Sequence, residues 1–465
     1  MSEELLRRTA ELAIEYVESL DERRVGPTAD RERLMASLGG PLSDAGVAPA
    51  TVIEDLAREA APGLMAMSGP RFFGFVIGGT LPAALAADWL TSTWDQNAAI
   101  HAATPAAAVV DGIAAEWVLE LLDLPRESGV GFVTGCQVAH FVCLAAARHA
   151  VLSTEGWDVE AEGLNGAPPI NVLVSEEAHV TVPAALRMLG IGLNAQRPVA
   201  ADAQGRMEVE SLRQVLAGCN GPTIVCAQTG NVNTGSFDPL DEIADTVAER
   251  PGTWLHVDGA FGLWAAASPA LRHLVRGIGR ADSWATDAHK WLNVPYDSGI
   301  AIVRDAAAHR AAMGPVHAAY IPHSDGPERD PWEFVPEYSR RGRAFPVYAA
   351  LRSLGRIGVT DLVERTCRLA RRMADRMAGT DGVEILNEVV LNQVLVRFTP
   401  RDGGDTDAFT REVIRRVQDD GTCWLGGTTW HGMAAMRVSV INWSTTEDDI
   451  DRSADAILRC GAAPL

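Results

Sequence analysis

Lysine is almost absent from this sequence. Among 465 residues only Lys290 is a lysine, although Lys and Arg together number 40. A chain that places its positive charge on arginine has no need of one lysine for charge alone, so Lys290 asks for a chemical explanation. Basic excess is lacking as well. Against 61 acidic residues the net charge is −21, which excludes the positive footprint a nucleic-acid binder uses to replace phosphate counterions. The 7 cysteines are scattered and form no CxxC pair, a pattern that suits reduced thiols in a cytoplasm and argues against a disulfide framework or a zinc site. No run of about eighteen apolar residues is free of charge, so no membrane span is expected. The opening "MSEELLRRTAELAIEYVESL" has no basic region followed by an apolar stretch, and no secretory signal is expected.

What is present is an ordinary globular composition, 47% hydrophobic and 22% charged, in a chain long enough for two or three domains. Residues 1–65 read as a helical arm with an amphipathic first helix. Residues 66–345 alternate short apolar runs with helical periodicity. The candidate strands are "GVGFVTG" (129–135), "INVLVSEEAH" (170–179), "TIVCAQTG" (223–230), "WLHVDGAFG" (254–262), "DSWATDAH" (282–289) and "GIAIVRD" (299–305). Strands that are apolar throughout and separated by helices indicate an α/β domain with a mainly parallel sheet covered on both faces. Its functional groups are then expected where the carboxyl ends of the strands open into loops. Residues 346–465 carry helix and strand patterns of a smaller α+β domain.

Lys290 sits in "ADSWATDAHKWLNVPYDSG". Lysine, unlike arginine, can lose a proton near neutrality and attack a carbonyl to form a Schiff base. Three upstream stretches bear on the same chemistry. In "WLHVDGAFG", strand alternation sets His256 and Asp258 on one face. A carboxylate there can keep a heteroaromatic nitrogen protonated, and Gly259 and Ala260 leave room for a flat ring. In "SEEAHVTVPAALRMLGIG", His179 ends a strand before a helix, placed to stack on a ring or to move a proton. In "GFVTGCQVAHFVCLAAARHAVL", a strand, a glycine turn and a helix leave free N–H groups around Gly135, Cys136 and Gln137, an anion site. No GK[ST] follows and GxGxxG is absent, so neither a P-loop nor a dinucleotide fold is supported.

In this order, phosphate turn, histidine, aspartate and lysine resemble the fold type I pyridoxal 5′-phosphate enzymes, and among them the group II amino-acid decarboxylases. The likeness extends from "SGPRFFGFVIGGTLPAALAADWL" to "RVSVINWSTTEDDI", and the lysine segment is its most specific part. The resemblance implies a seven-stranded, mainly parallel large domain. It also implies that Lys290 forms the Schiff base with pyridoxal 5′-phosphate, with His289 beside the phosphate. Asp258 would pair with the pyridine nitrogen, Ala260 would pack under the ring and His179 would lie over it. Gly135, Cys136, Gln137 and Asn231 would hold the phosphate. Arg437 is where related folds place a contact to the substrate carboxylate, and Phe72, Phe73, Trp89 and Trp94 lie in the segment that lines their substrate pockets, which points to an aromatic or bulky amino acid. The implied activity is decarboxylation of an L-amino acid to the amine. The alternatives are oxidative decarboxylation to an aldehyde, carbon–carbon bond cleavage or transamination. A homodimer in the cytoplasm, with the N-terminal helix as a swapped arm, is expected, without nucleic-acid or membrane partners.

Three departures stand out, the first being Cys136 and Gln137 where relatives have Ser or Thr after the glycine. Relatives carry a tyrosine on a lid after the lysine, whereas positions 321–337 contain none. This leaves His179, His323 or Tyr338 to protonate Cα, with Tyr320 and Tyr338 flanking the loop. Asp287 stands where a neutral asparagine is common, and a carboxylate next to a phosphate is expected to turn away toward a backbone N–H.

Overall fold

The computed structural model describes residues 3–314, 328–401 and 403–462. Its centre is a seven-stranded sheet of β1 (Gly129–Val133), β2 (Asn171–Ser175), β3 (Gln196–Val199), β4 (Thr223–Gln228), β5 (Thr253–Asp258), β6 (Ser283–Asp287) and β7 (Gly299–Val303), in the order β1-β7-β6-β5-β4-β2-β3. All pairs are parallel except those of β7, which runs antiparallel to both β1 and β6. Six strands coincide with the apolar runs. The seventh, β3, is an edge strand of sequence QRPV with two exposed residues, and it lacked the apolar signal because only one side of it meets the core. Pro198 is tolerated there, since an edge strand can spare a donor.

Period-two alternation sorts the side chains between two layers. Val172, Val174, Ile224, Cys226 and Trp254 point to the helix Cys136–Ser153. Leu173, Val225, Leu255 and Val257 point to the opposite face. With Trp254 facing that helix, His256 and Asp258 face it too. By length and composition Cys136–Ser153 could cross a membrane, but it is the core helix of this layer and most of its residues are buried.

Six helices precede or start the sheet: α1 (Glu3–Ser19), α2 (Arg31–Leu38), α3 (Pro49–Ala60), α4 (Pro82–Trp94), α5 (Pro105–Leu121) and α6 (Cys136–Ser153). The first three have no buried residue. A second, antiparallel sheet of β8 (Val383–Ile385), β9 (Gln393–Phe398), β10 (Gly426–Trp430) and β11 (Met433–Ser439), in the order β10-β11-β9-β8, is covered by the helices Thr406–Asp420 and Glu447–Ala462. The helix Ala344–Met377 joins the two parts and is broken at Gly355 (φ 59°). The expected boundary at 345/346 falls inside it. Residues up to Cys367 pack on the large core, and Leu369 to Met377 pack on the small one.

Candidate active site

The site is assembled from the ends of β1, β2, β5 and β6. After β1 the chain turns at Gly135, which precedes α6 with no side chain capping the first-turn N–H groups. β7 backs this turn so closely that a Cβ on Gly299 would lie 2.5 Å from Gly135 Cα. Cys136 and Gln137 contribute only main chain. The thiol of Cys136 is buried beside His140 Nε2 at 3.5 Å, and the exposed Gln137 amide reaches Met188 Sδ at 3.8 Å.

At the end of β5, Asp258 is buried. Its Oδ1 accepts the Ala260 N–H at 3.1 Å, and its Oδ2 lies 3.5 Å from His140 Nε2. Burial alone would push its carboxyl up. The hydrogen bond and field of His140 and the fields of His179 and Lys290 outweigh that and hold the carboxyl well below the usual range. His140 is the main residue that sequence reading missed, because a histidine in an apolar helix reads as core. Its position four residues after Cys136, one turn beyond the glycine, was the available signal.

β6 ends at Asp287, and the turn that follows carries Ala288, His289 and Lys290. Lys290 Nζ stands 3.4 Å from Asp287 Oδ2 and 5.7 Å from the centre of the Phe261 ring. The expectation that Asp287 turns away is corrected. The carboxylate faces Lys290 Nζ, which supplies the counter-charge a buried acid needs, and lies 3.5 Å from His289 Nε2. His289 stacks on Tyr296 at 4.3 Å, and burial lowers its pKa. Asn293 locks the lysine turn: its Oδ1 accepts the N–H groups of Gly79 (2.6 Å) and Trp443 (3.0 Å), and its Nδ2 donates to Trp291 and Ile441 carbonyls.

His179 lies beyond the end of β2, in the turn before the helix Thr181–Met188 and not on the strand itself. Its Nδ1 meets Thr181 Oγ1 at 2.8 Å, which leaves Nε2 for the site. Burial lowers its pKa, and the fields of Asp258, Lys290, His140 and Arg437 all reach it. Arg437, on β11, is thus part of the same environment. Burial depresses its pKa, and no carboxylate among the described residues pairs with it.

Other expectations are not met. Phe72 is buried and stacked on Trp424 at 5.2 Å, and Phe73 is buried in the small-domain core. Both fill cores because the N–H of Phe73 and the Ser439 N–H tie this stretch to the small domain. Phe75, at φ 55° and 55% exposed, stays open, as do Trp89 and Trp94. Asn231 has its side chain committed: Oδ1 accepts from Asn233 and Thr234, and Nδ2 donates to Glu177 and Gln228. It closes the loop after β4 and is not free for a phosphate. Tyr338 stands edge-on to Trp332 at 5.2 Å. Tyr320 and His323 lie outside the described residues.

The turn suits an anionic group. An ideal Cβ on Gly135 would lie 3.4 Å from His289 Cε1, and His289 Nδ1 is a buried polar atom without a partner among the described residues, whereas Asp287 Oδ1, 3.7 Å from the same point, is an acceptor that opposes an anion there. Free N–H groups, an orphaned imidazole nitrogen, an ionised aspartate and a reachable lysine at the ends of a mainly parallel sheet define a pyridoxal phosphate site. Residues 35–399 match the model of the pyridoxal-dependent decarboxylase conserved domain, and the chain belongs to this family. It is 29% identical to the acidic amino acid decarboxylase of Homo sapiens over 92% of this chain and 84% of that one. It is 27% identical to tryptophan decarboxylase 1 of Oryza sativa subsp. japonica over 88% and 83%. In fold it is similar to a crystal structure of Oryza sativa TDC with PLP and tryptamine, with a TM-score of 0.91, 22% identity and coverage of 98% and 97%. It is likewise similar to Rhodiola rosea 4-hydroxyphenylacetaldehyde synthase, with a TM-score of 0.86, 22% identity and coverage of 99% and 98%. The protein is therefore a pyridoxal phosphate-dependent carboxy-lyase acting on an amino acid.

Proposed function

We propose that the enzyme removes the α-carboxylate of an L-amino acid with an aromatic or bulky side chain and releases the amine. The observation that carries this reading is the convergence of Lys290, Asp258 and His179 on one another's electrostatic environment at the sheet's carboxyl edge. Lys290 would hold the cofactor's aldehyde carbon, and Asp258 its pyridine nitrogen. His179 and Ala260 would hold its two faces, and the main chain of Gly135, Cys136 and Gln137 with His289 Nδ1 its phosphate. Bound pyridoxal phosphate supplies an electron sink for the pair left on Cα when a bond there breaks.

The chain's own residues do the rest. Asp258, kept ionised, favours the protonated ring nitrogen. Asp287, 3.4 Å from Nζ, gives the lysine amine an acceptor for its proton. Arg437, half-buried and without an acidic partner among the described residues, offers a guanidinium to the substrate's carboxylate. Thr181 engages His179 Nδ1 and leaves Nε2 to the site; burial lowers the histidine's pKa, so its imidazolium would be a strong acid that gives Cα the Nε2 proton and returns to the neutral ring. Phe75 supports the aromatic preference: it is an open ring of a segment whose Gly78 N–H donates to the His289 carbonyl.

A second reading, release of an aldehyde, is favoured by the lack of tyrosine at 321–337. Turnover of a panel of aromatic, acidic and diamino acids, scored for carbon dioxide, amine, aldehyde and peroxide, separates the two. Borohydride trapping with peptide mapping should put the pyridoxyl group on Lys290, and a Lys290→Arg enzyme should trap none. An adduct elsewhere refutes the reading.

We also propose a homodimer. The exposed Ile14 and Val17 of α1 and Trp89 of α4 line a groove of about 740 Å³, and such an apolar surface calls for a cover. A cytoplasmic location is supported by the 7 unpaired cysteines, of which Cys460 alone is not buried.

A further inference from the structure

Behind Asp258 a line of hydrogen bonds runs through the layer between β5, β6 and α6. His140 Nε2 lies 3.5 Å from Asp258 Oδ2, and His140 Nδ1 lies 2.9 Å from His256 Nε2. His256 Nδ1 lies 2.9 Å from Ser283 Oγ, which accepts the indole N–H of Trp254 at 2.9 Å. His140, His256 and Ser283 have no exposed surface.

One polarity satisfies every link without burying a further charge. Trp254 can only donate, so Ser283 Oγ accepts from it and turns its own hydrogen to His256 Nδ1. His256 then carries its proton on Nε2 and gives it to His140 Nδ1, and His140 presents Nε2–H to the carboxylate. The opposite polarity makes His140 a buried imidazolium and leaves the Ser283 hydroxyl hydrogen without a nitrogen or oxygen acceptor in the line. Burying a charge or an unmade hydrogen bond is costly.

We propose that His140 is a positioning residue for the reaction: held in its Nε2–H form by His256, Ser283 and Trp254, it donates to Asp258 and keeps that carboxylate ionised and aimed at the cofactor. This deepens the reading of the site and rests on Asp258 being the partner of the ring nitrogen. The ionisable groups around Asp258 among the described residues are His140 and Cys136 from α6, Cys226 from β4, Asp238 from the loop after β4, His256 from β5, His179, and Lys290. Of these, His140 is the one in hydrogen-bonding contact with its carboxylate. Removing that donor lets a buried acid take up a proton at a higher pH, whereas the others act only through their fields.

The test compares four holoenzymes: wild type, Asp258→Asn, His140→Leu and His140→Gln. Cofactor dissociation is followed by the visible absorbance from pH 5 to pH 8. Asp258→Asn should weaken binding throughout. His140→Leu should weaken it by about tenfold, the scale of one hydrogen bond to a charged group. His140→Gln, which keeps an N–H toward the carboxylate, should stay within about threefold. A merely structural role would give no rescue by glutamine. If Asp258→Asn weakens binding while His140→Leu behaves as wild type, the proposal falls and the site assignment stands. If Asp258→Asn is itself without effect, both fall. Should His140→Leu fail to fold, the histidine ¹⁵N spectrum of the wild-type holoenzyme decides. Protonation of His140 and His256 at Nε2 alone sustains the proposal, and a proton on His140 Nδ1 overturns it.

Discussion

Gly78→Ala is the most direct probe of how the lysine is placed. A methyl group at Gly78 would sit 1.9 Å from the Lys290 carbonyl oxygen and 3.1 Å from that of His289. The first of these is about 1.5 Å short of the 3.4 Å at which such a contact becomes ordinary. Both obstacles are backbone, so no side chain can swing aside. The segment must part from the lysine turn, stretching the Gly78-to-His289 hydrogen bond of 3.3 Å and the Gly79-to-Asn293 hydrogen bond of 2.6 Å. Forcing one methyl into a packed site costs about 1–3 kcal/mol of stability. A displacement of about 1 Å at a reacting group costs on the order of 100-fold in rate. The expected result is a folded protein with a lowered urea midpoint and kcat/KM reduced about 100-fold on its best amino acid. Gly46→Ala is the control, since nothing lies within 4 Å of its added methyl. If Gly78→Ala kept wild-type kcat/KM, the close approach of residues 78–79 to the lysine turn would not be what sets the amine's position.

Other outcomes follow from the same structure. In Asp258→Asn the ring nitrogen loses a stabilisation of about 1–3 pKa units, so turnover should drop about 10- to 1000-fold, and steady-state kinetics at wild-type rates would mean that the nitrogen has another partner. His309 is buried with its pKa lowered to about 3, chiefly by burial. The unfolded chain therefore takes up that proton first. Stability should be level above about pH 6.5 and fall below it, by up to about 1.4 kcal/mol per pH unit for this group. His309→Gln should flatten the acid slope of a urea titration, and an unchanged slope would contradict the burial argument. Removing residues 1–60 should convert a dimer to monomers by light scattering, and an undiminished mass would show that the arm is not the contact.

Much of this was legible in the sequence, for identifiable reasons. The apolar runs of β1, β2, β4, β5, β6 and β7 stood out because both faces of those strands are covered, and Asp258 could be aimed because alternation is strict in a parallel strand. Lys290 was conspicuous by composition alone. β3 was hidden by being a polar edge. The readings of Phe72, Phe73 and Asn231 failed because residue type does not say which way a side chain turns: two aromatics went to cores, and one amide closes its own loop. His140 was hidden by good company, a polar residue on a buried stripe whose partners lie 116 to 118 positions away.

The stretch from Arg71 to Leu81 is sewn at one end to the small domain, through Phe73 to Trp424 and Ser439, and at the other to the turn carrying the reactive amine, through Gly78 to His289 and Leu81 to Asn293. Its ten or so residues act as a tie rod. Tilting the outer lobe toward or away from the sheet must pull on the lysine's own backbone, so the pose of that lobe and the reach of the amine are mechanically a single coordinate.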